Sequence, residues 1–428
     1  MPQKKISRRD FVASGAAAGT AAFMARVPLV HAGQSTPTLK AGLIGCGGRG
    51  KGAAGNFLAA APNVQITALA DVFEDRVKSV GRELEGTEGF KVTPENCFTG
   101  LDAYKKVLES GVDVVLLATS PGFRPLHFAA AVEAGKHVFM EKPVAVDPAG
   151  VRKVIEVGKK AREKGLAVLA GTQYRHQKSF IETIKRVHDG WIGEIVAGRA
   201  YYNTGLPWAP KARRPNESDM EWQIRNWLFY DWLSGDHIVE QHIHTIDVTD
   251  WVMNARPVRA VAVGGRQTRV GEQWGNVYDH FCVDYEYPKG VHVTSMCRQW
   301  PGCPGQVAAY FRGTKGEVDV YNGVIRGEKN WSFEDEFKEK PSIAKAYVQE
   351  HTDWIESIRA GKPINEATQV AESSLTAILG REAAYTGKAI AWADLATAEL
   401  DLSPPKYEFG PNPVRPMPIP GKPREGIK

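Results

Sequence analysis

The fold is decided by residues 39–50, which read LKAGLIGCGGRG. An apolar, strand-like run ends at Ile44 and leads into a Gly-x-Gly-x-x-Gly pattern that opens a helical stretch. In that context the first glycine permits a tight turn, the second lets the backbone approach a pyrophosphate, and the third allows close helix packing. The helix N-terminus then faces the phosphates. We therefore predict that a dinucleotide contacts Gly45, Gly47, Gly48, Arg49 and Gly50.

A carboxylate ends the next strand-like run. Asp71 follows the last glycine by about twenty residues, the position from which a carboxylate hydrogen-bonds the 2′-hydroxyl of the ribose. This favours NAD over NADP, because a carboxylate repels a 2′-phosphate. Arg76 nearby keeps NADP open as the second choice.

Two patterns divide the chain beyond this loop. Between residues 39 and 171, short apolar runs alternate with helical stretches, as they do in parallel βαβ units. Beyond Gly193, strand-like runs follow one another between Gly and Pro turns, which indicates a mostly antiparallel sheet. A helical segment from Ile343 to Tyr385, interrupted at residues 361–363, comes next. The sequence therefore predicts an α/β protein.

The two ends of the chain lie outside these patterns. Arg8-Arg9 precedes a mildly apolar Ala/Gly-rich stretch and a small-residue site, so residues 1–32 resemble a twin-arginine signal peptide. We expect export of the folded protein by the twin-arginine machinery, to the periplasm or otherwise out of the cytoplasm; the alternative is a chance Arg-Arg before a core helix. Residues 401–428 are rich in Pro and lack periodicity, which predicts an extended arm or a disordered tail.

Composition excludes several classes of protein. The net charge of +5 is small for 428 residues and its cations are scattered, so neither nucleic acid nor a membrane surface is indicated as a partner. Beyond the leader, no apolar run approaches the roughly twenty residues of a membrane span. The five cysteines are too few for a disulfide framework. Cys297 and Cys303 could pair in an oxidising compartment, but two free thiols are favoured.

Residues 134–143 read AGKHVFMEKP, and this run resembles the Gfo/Idh/MocA oxidoreductases. Residues 118–121 with His127 are similar to the third nucleotide-binding element of that family, and residues 193–195 to the start of its second domain. The resemblance covers roughly residues 39–400. It implies further cofactor contacts from Thr119, Ser120, Pro121, His127, Glu141 and Lys142.

The same resemblance implies the domain organisation. A Rossmann domain over residues 38–172 is followed by an α/β domain over residues 173–400, whose large, mostly antiparallel open sheet often mediates oligomers in the family. We therefore expect a homo-oligomer.

The active site of the family combines the lysine of Glu-Lys-Pro, here Lys142, with an Asp and a His four residues apart on a helix. In residues 235–247, GDHIVEQHIHTID, Glu240 aligns with that Asp and His244 with that His. Residues four apart share one helix face. His244 would remove the hydroxyl proton, Lys142 would polarise the oxygen, and Glu240 would orient them. Glu240 in place of Asp, and His242 in place of a small residue, bear on the substrate class.

Substrate contacts are predicted at other polar and aromatic positions. Residues 173–176 follow a strand-like run, at the sheet edge where ligands of open α/β sheets bind, although they could only cap that edge. The aromatic and basic stretch 206–235 could stack on a sugar or anchor a subunit interface. The candidates are Arg175, His176, Trp208 and His242.

A metal site is the rival interpretation of the histidines. His237, Glu240 and His244 share one face of a continuous helix, and both residue types bind metals. No Cys or Asp at useful spacing completes the set, and hydride transfer needs no metal. We therefore predict none, and a polar helix face at the domain junction is the remaining alternative.

Export conflicts with a cofactor that must be recycled in the cytoplasm. We therefore predict an exported NAD(P)-dependent oxidoreductase that acts on a sugar, glycoside or polyol and keeps its nicotinamide tightly bound. The first alternative is an NAD-dependent glycoside hydrolase, a class the family is known to include, which oxidises transiently and eliminates the aglycone; His242, His176 or a Tyr could be its extra base. The second is a non-catalytic, cofactor-bound binding protein, against which Lys142 and His244 argue jointly.

Overall fold

Six parallel strands form the first sheet of the computed structural model, which describes residues 37–426. The strands are β1 (Leu39–Ile44), β2 (Val64–Asp71), β3 (Cys97–Thr99), β4 (Val114–Leu117), β5 (His137–Met140) and β6 (Val168–Ala170). Their spatial order is β3-β2-β1-β4-β5-β6, the doubly wound arrangement in which the chain changes direction between β1 and β4. A ligand crevice lies at that point, outside the carboxyl ends of the strands.

Helices cover both faces of this sheet. They are α1 (Gly48–Ala60), α2 (Glu74–Glu83), α3 (Ala103–Glu109), α4 (Arg124–Glu133) and α5 (Pro148–Glu163). Because both faces are covered, β4 is buried along its whole length and reads Val-Val-Leu-Leu. The start of α5 is fixed by Asp147, whose Oδ1 accepts a hydrogen bond from the Gly150 amide at 2.6 Å, and by Pro148 in the first turn.

The second sheet has nine strands within the described residues. They are β7 (Ile195–Thr204), β8 (Arg259–Gly265), β9 (His280–Tyr287), β10 (Val291–Gln299), β11 (Gln306–Gly313), β12 (Gly316–Asp319), β13 (Val324–Gly327), β14 (Trp331–Ser332) and β15 (Ile390–Ala391). The order is β14-β13-β12-β11-β7-β10-β9-β8-β15, in which β7 and β10 pair parallel and every other neighbouring pair is antiparallel. The predicted fold class is therefore confirmed.

Helices of the C-terminal half pack on this sheet and return to the first. They are α6 (Lys178–His188), α7 (Asp219–Arg225), α8 (Asp231–Ser234), α9 (His237–Glu240), α10 (Ile243–Met253), α11 (Phe333–Phe337), α12 (Ile343–Arg359), α13 (Ala367–Thr386) and α14 (Trp392–Thr397). The long α13 packs on β8 and α5, whereas α12 crosses back to α1. The helical segment predicted from residue 343 to 385 is thus two helices with a break at the expected place.

The Pro-rich stretch after Leu400 has no helix or strand as far as residue 426. It is held by hydrogen bonds: Tyr278 Oη donates to the Pro418 carbonyl at 2.9 Å, and Gln223 Nε2 donates to the Asn412 carbonyl at 2.5 Å. The structure thus gives the described part of the tail the form of an extended arm. No described helix is both long and apolar enough to cross a membrane. All five cysteines are free thiols, and the predicted leader, residues 1–32, lies outside the described residues.

Candidate active site

The glycine loop after β1 forms an open cradle at the start of α1. Gly45 has a φ of +102°, and a Cβ there would lie 2.5 Å from the Thr119 amide nitrogen. A Cβ on Gly50 would overlap the carbonyl oxygen of Gly45, so both positions require glycine. A Cβ on Gly47 or Gly48 would meet nothing within 4 Å. The open side of the loop, at the positive end of a helix, fits the pyrophosphate of a dinucleotide.

Asp71 lies beside this cradle at the end of β2. Its Oδ2 accepts a hydrogen bond from the Cys46 amide at 2.7 Å, and its Oδ1 accepts one from the Phe73 amide at 3.0 Å. Burial raises the pKa of Asp71, and the two amides oppose that shift. Each carboxylate oxygen can accept a second hydrogen bond, so the geometry suits a ribose hydroxyl. The residues present therefore fit NAD.

The end of β4 forms the other side of the cradle. Thr119, Ser120 and Pro121 follow this strand, and the Thr119 backbone meets the glycine loop at Gly45. His127 lies behind them: its Nδ1 is 3.2 Å from Thr119 Oγ1, and burial lowers its pKa to about 3. The side chain is only 5% exposed. The buried ring therefore supports Thr119, and a direct contact between His127 and the cofactor stays a prediction.

Arg49 and Glu141, both predicted to contact the cofactor, form an ion pair with each other. Arg49 Nε lies 2.5 Å from Glu141 Oε1, and the guanidinium lies 4.5 Å from the ring centroid of Tyr347 on α12. Glu141 is buried against Gly171, where a Cβ would come within 2.5 Å of its carboxylate. The pair ties the start of α1 to the residue that precedes Lys142.

Lys142 and Glu240, both predicted site residues, are in contact. Lys142 Nζ donates to the main-chain oxygen of Glu240 at 2.7 Å and lies 3.4 Å from Glu240 Oε1. Their side chains are 11% and 15% exposed, and the Lys142–Pro143 peptide is cis. A narrow cleft opens beside this pair. It is lined by Lys142, Thr172, Tyr174, Ile243, His244 and Asp247.

The helix that was expected to carry Glu240 and His244 is not continuous. The structure ends α9 at Glu240 and begins α10 at Ile243. The His244 amide bonds to the Gln241 carbonyl at 3.3 Å, not to the carbonyl four residues earlier. A continuous helix would use the Glu240 carbonyl for that bond. The break therefore frees this carbonyl to accept from Lys142.

His244 is a neutral imidazole in the cleft. Burial, with the positive charges of Lys142 and Arg49, lowers its pKa well below the ordinary value. The ring lies 5.8 Å from that of Tyr174 and 6.3 Å from that of Tyr202, and takes part in none of the hydrogen bonds among residues 37–426. A neutral, unpartnered imidazole can accept a proton from a bound hydroxyl group.

The neighbouring histidines are buried. His242 is fully buried, its Nε2 is 2.5 Å from Ser295 Oγ, and burial lowers its pKa to about 3. These contacts favour a packing role, and a substrate contact from His242 stays a prediction. His237 is also buried, with Nδ1 3.1 Å from Asp236 Oδ1. Because α9 and α10 are separate, His237 does not share a face with His244, and no metal-binding cluster of three or more such side chains exists among the described residues.

Arg175 and His176 have carboxylate partners of their own. Arg175 Nε and Nη2 both donate to Asp247 at 2.9 Å, so Arg175 reaches the cleft only through Asp247. His176 Nδ1 lies 2.6 Å from Asp353 and Nε2 lies 3.3 Å from Glu366. Burial opposes a charge on this ring, but these two partners raise its pKa to about 10. These ion pairs favour a supporting role, and substrate contacts from Arg175 and His176 stay predictions.

Trp208 packs in a separate aromatic cluster. Its ring centroid is 5.8 Å from that of Trp227 and 6.5 Å from that of Phe229, and it is 36% exposed. These contacts favour a packing role, and a substrate contact from Trp208 stays a prediction.

Three polar residues of the cleft were not predicted as contacts. Thr172 precedes the 173–176 segment, Tyr174 lies within it, and Asp247 follows His244 by three residues on α10. The i, i+3 spacing of His244 and Asp247 was the available sequence signal. Tyr202, on β7, stacks beside the His244 ring, and no sequence signal marked it.

Two family models match the chain. One, described as "Oxidoreductase family, NAD-binding Rossmann fold", matches residues 39–172; the other, described as "GFO/IDH/MocA C-terminal domain", matches residues 180–319. Together they span more than half of the sequence.

Three curated proteins are similar in sequence. The 2,7-anhydro-N-acetylneuraminate hydratase of Escherichia coli is 27% identical over 65% of this chain and 66% of its own length. A glycosyl hydrolase family 109 protein of Streptomyces coelicolor is 27% identical over 39% of this chain and 34% of its own length. An inositol 2-dehydrogenase of Salmonella typhimurium is 25% identical over 76% of this chain and 88% of its own length. The chain thus spans just under two thirds of the first relative and about a third of the second.

A solved structure has the same fold. A levoglucosan dehydrogenase, in complex with NADH and levoglucosan, superimposes with a TM-score of 0.65 at 18% identity, over 83% of this chain and 99% of that one. The chain therefore belongs to the GFO/IDH/MocA family of oxidoreductases and carries an NAD-binding Rossmann domain.

Proposed function

We propose that this protein is an exported enzyme that oxidises or reduces a hydroxyl-bearing carbon of a sugar, glycoside or polyol and keeps NAD tightly bound. One observation carries the chemistry: a neutral imidazole, His244, and an ammonium group, Lys142, line one narrow cleft at the carboxyl end of the parallel sheet. The glycine cradle and Asp71 lie at the same edge.

Alcohol oxidation removes a proton from oxygen and a hydride from carbon. NAD, when bound, accepts the hydride. The His244 imidazole takes the hydroxyl proton, and the Lys142 ammonium donates a hydrogen bond to the same oxygen as negative charge develops there. Glu240 holds the ammonium in place through both its carbonyl and its carboxylate. In the reducing direction the protonated His244 returns the proton to the oxygen, and the Lys142 ammonium again stabilises the negative charge that develops there.

The cleft suits a substrate with several hydroxyl groups. Thr172 and Tyr174 offer hydroxyls, and the ring of Tyr174 can pack against a sugar face. Inositol and levoglucosan, which appear in the names of two similar proteins, both carry several hydroxyl groups.

Tight binding of the nucleotide follows from the proposed export. Residues 1–32 resemble a leader that sends folded proteins outward, where no cytoplasmic pool of NAD would recycle a released cofactor. A nicotinamide that stays bound must be reduced and reoxidised in place, so a second, reducible substrate completes each cycle.

The test is a panel of sugars and polyols offered to the purified protein, with the products identified by mass spectrometry and NMR. A ketosugar or lactone, formed together with reduced nicotinamide, is the expected result. No oxidised product from any member of the panel would count against the proposal.

A second candidate is a reaction without net redox change. The E. coli relative is named a hydratase and the S. coelicolor relative a glycosyl hydrolase, and both reactions consume water. Transient oxidation beside a C–H bond would acidify it, permit elimination of the aglycone, and be reversed after water adds. Aryl glycosides distinguish the two: release of the aryl group with no net change in nicotinamide absorbance favours this candidate over the first.

A further inference from the structure

We propose that Arg225 clamps helix α7 over the adenosine end of the cradle and thereby slows release of the nucleotide. This inference rests on the proposed function, in which the nucleotide is retained. It assigns that retention to one contact between the two halves of the protein.

The clamp is built on the turn that follows Asp71. Arg225, the last residue of α7, donates from Nη1 and Nη2 to the two carboxylate oxygens of Asp75 at 3.2 and 3.1 Å. Its guanidinium lies 3.7 Å from the ring centroid of Phe73, and only 10% of its side chain is exposed. Phe73 in turn donates its amide to Asp71. In Rossmann folds this turn borders the adenosine ribose, so Arg225 is seated at the edge of that subsite.

An apolar cluster extends the contact. Phe73 and Phe123, from the turns after β2 and β4, pack with residues of the segment 220–233 that include Ile224 and Trp232. A Cβ on Gly122 would overlap the Trp232 carbonyl oxygen, which shows how closely the segment approaches the end of β4. The segment therefore covers the adenosine side of the crevice.

The C-terminal arm holds α7 from its other side. The Asn412 amide donates to Asp219 Oδ2 at 3.2 Å, and Asn412 Nδ2 donates to Gln223 Oε1 at 3.0 Å. The Met220 amide donates to the Gly410 carbonyl at 3.2 Å. Helix α7 is thus fixed between the arm and the Rossmann turn, and the contact of Arg225 with Phe73 and Asp75 must open before α7 can lift.

The test measures how fast bound NAD leaves. The protein is loaded with NAD, freed of unbound nucleotide by gel filtration and mixed with excess etheno-NAD, whose fluorescence reports exchange. We expect R225A to release NAD about tenfold faster than wild type. It removes the pair with Asp75 and the cation–π contact with Phe73, and also the pair of Arg225 Nε with Glu217 at 3.1 Å within its own segment. R225K should fall between the two, because a lysine keeps the charge and loses the two-point contact.

Arg213 provides the matched control. Its Nη2 lies 2.7 Å from Asp219 and its guanidinium 5.6 Å from the Trp222 ring, so it also joins a carboxylate and an aromatic ring, but both belong to its own segment. R213A should release NAD at the wild-type rate. D75N removes only the pair between the two halves, leaves the Arg225–Glu217 pair in place, and should also release NAD faster than R213A, whether or not R225A folds. Where R225A folds, the double variant R225A/D75N should be no faster than R225A.

The outcomes separate the clamp from the proposed function. Unchanged release from R225A and D75N, or equal acceleration in R213A, would overturn the clamp while leaving retention intact. A wild-type protein that loses NAD within the time of gel filtration contradicts retention itself. In that case the clamp is judged by the affinities for added NAD, which it requires to be about tenfold weaker in R225A than in R213A.

Discussion

The Nζ atom of Lys142 lies 2.7 Å from the main-chain oxygen of Glu240, a carbonyl that a continuous helix would have paired with the amide of His244. The break between α9 and α10 thus supplies the acceptor that orients the lysine. His244, shortly after the break, lines the same cleft as Lys142. The position of the Lys142 side chain therefore depends on the break between α9 and α10.

Replacement of Lys142 by methionine should abolish most of the activity. The change removes the group that stabilises charge on the substrate oxygen, and losses at such positions are about 10²–10³-fold in kcat. Steady-state kinetics on the best substrate of the panel measures it. K136M is the control, because Lys136 also donates to a carbonyl, that of Val112, but at the far end of the strand. A K142M protein as active as K136M would remove Lys142 from the mechanism.

The pH dependence of the reaction should lack the usual histidine limb. An ordinary imidazole base loses half its activity near pH 6.5, whereas burial and two nearby cations lower the pKa of His244 well below that value. The oxidation rate, followed by reduced nicotinamide, should therefore not fall as the pH drops from about 7.5 to about 6.

The same pKa gives a second check on the assignment. Removal of the Lys142 charge makes protonation of His244 easier, so its pKa must rise in K142M. Titration of the His244 ring by NMR, assigned with the H244N variant, measures the shift. A pKa that stays in place or falls would show that the two groups do not share the cleft.

The glycine loop predicts opposite effects for two neighbouring substitutions. G50A must push a Cβ into the Gly45 carbonyl and should destabilise the fold by about 1–3 kcal/mol, as overpacking does. G47A meets nothing within 4 Å, so the fold should tolerate it, but the methyl group stands where the pyrophosphate approaches. Denaturant unfolding and NAD titration measure the two effects. Strong NAD binding by G47A would place the nucleotide elsewhere.

His176 predicts a stability difference that depends on pH. Its pKa is raised to about 10, so the protonated ring stabilises the fold below its ordinary pKa of about 6.5, and that contribution is lost as the pH rises towards 10. Since Asp353 is partly exposed, we expect H176Q to cost about 2 kcal/mol at pH 6. Urea unfolding from about pH 6 to 10 should show the gap closing. A stability difference between wild type and H176Q that widens with pH would contradict the positive charge assigned to His176.

The sequence predicted those parts of the fold that local pattern determines. The run 39–44 is a strand with the predicted end, because its apolar residues are bounded there by a glycine turn. The strands β12 to β14 were not predicted, since two to four residues give too little periodicity. The break at Gln241 and His242 was also missed, because tertiary contacts of Lys142 and Ser295 stabilise it rather than a proline or glycine.

Within the site, the residue types alone did not show which side chains already have partners within the protein. Arg175, His176 and His242 are residue types that often bind ligands, but Asp247, Asp353 and Ser295 occupy them in the structure. These partners lie 53 to 177 positions away along the chain. Lys142 and His244 could be identified because a local motif marks each of them.

The most direct measurement of the central claim is a single-turnover experiment on protein purified without added cofactor. The nucleotide is released from one sample and identified by mass spectrometry, while a second sample is mixed with polyol and its nicotinamide absorbance is followed. We predict about one NAD per chain, reduced on addition of a substrate polyol in wild type but not in K142M. Protein with no bound nucleotide, or bound nucleotide that no polyol or sugar reduces, would contradict the account.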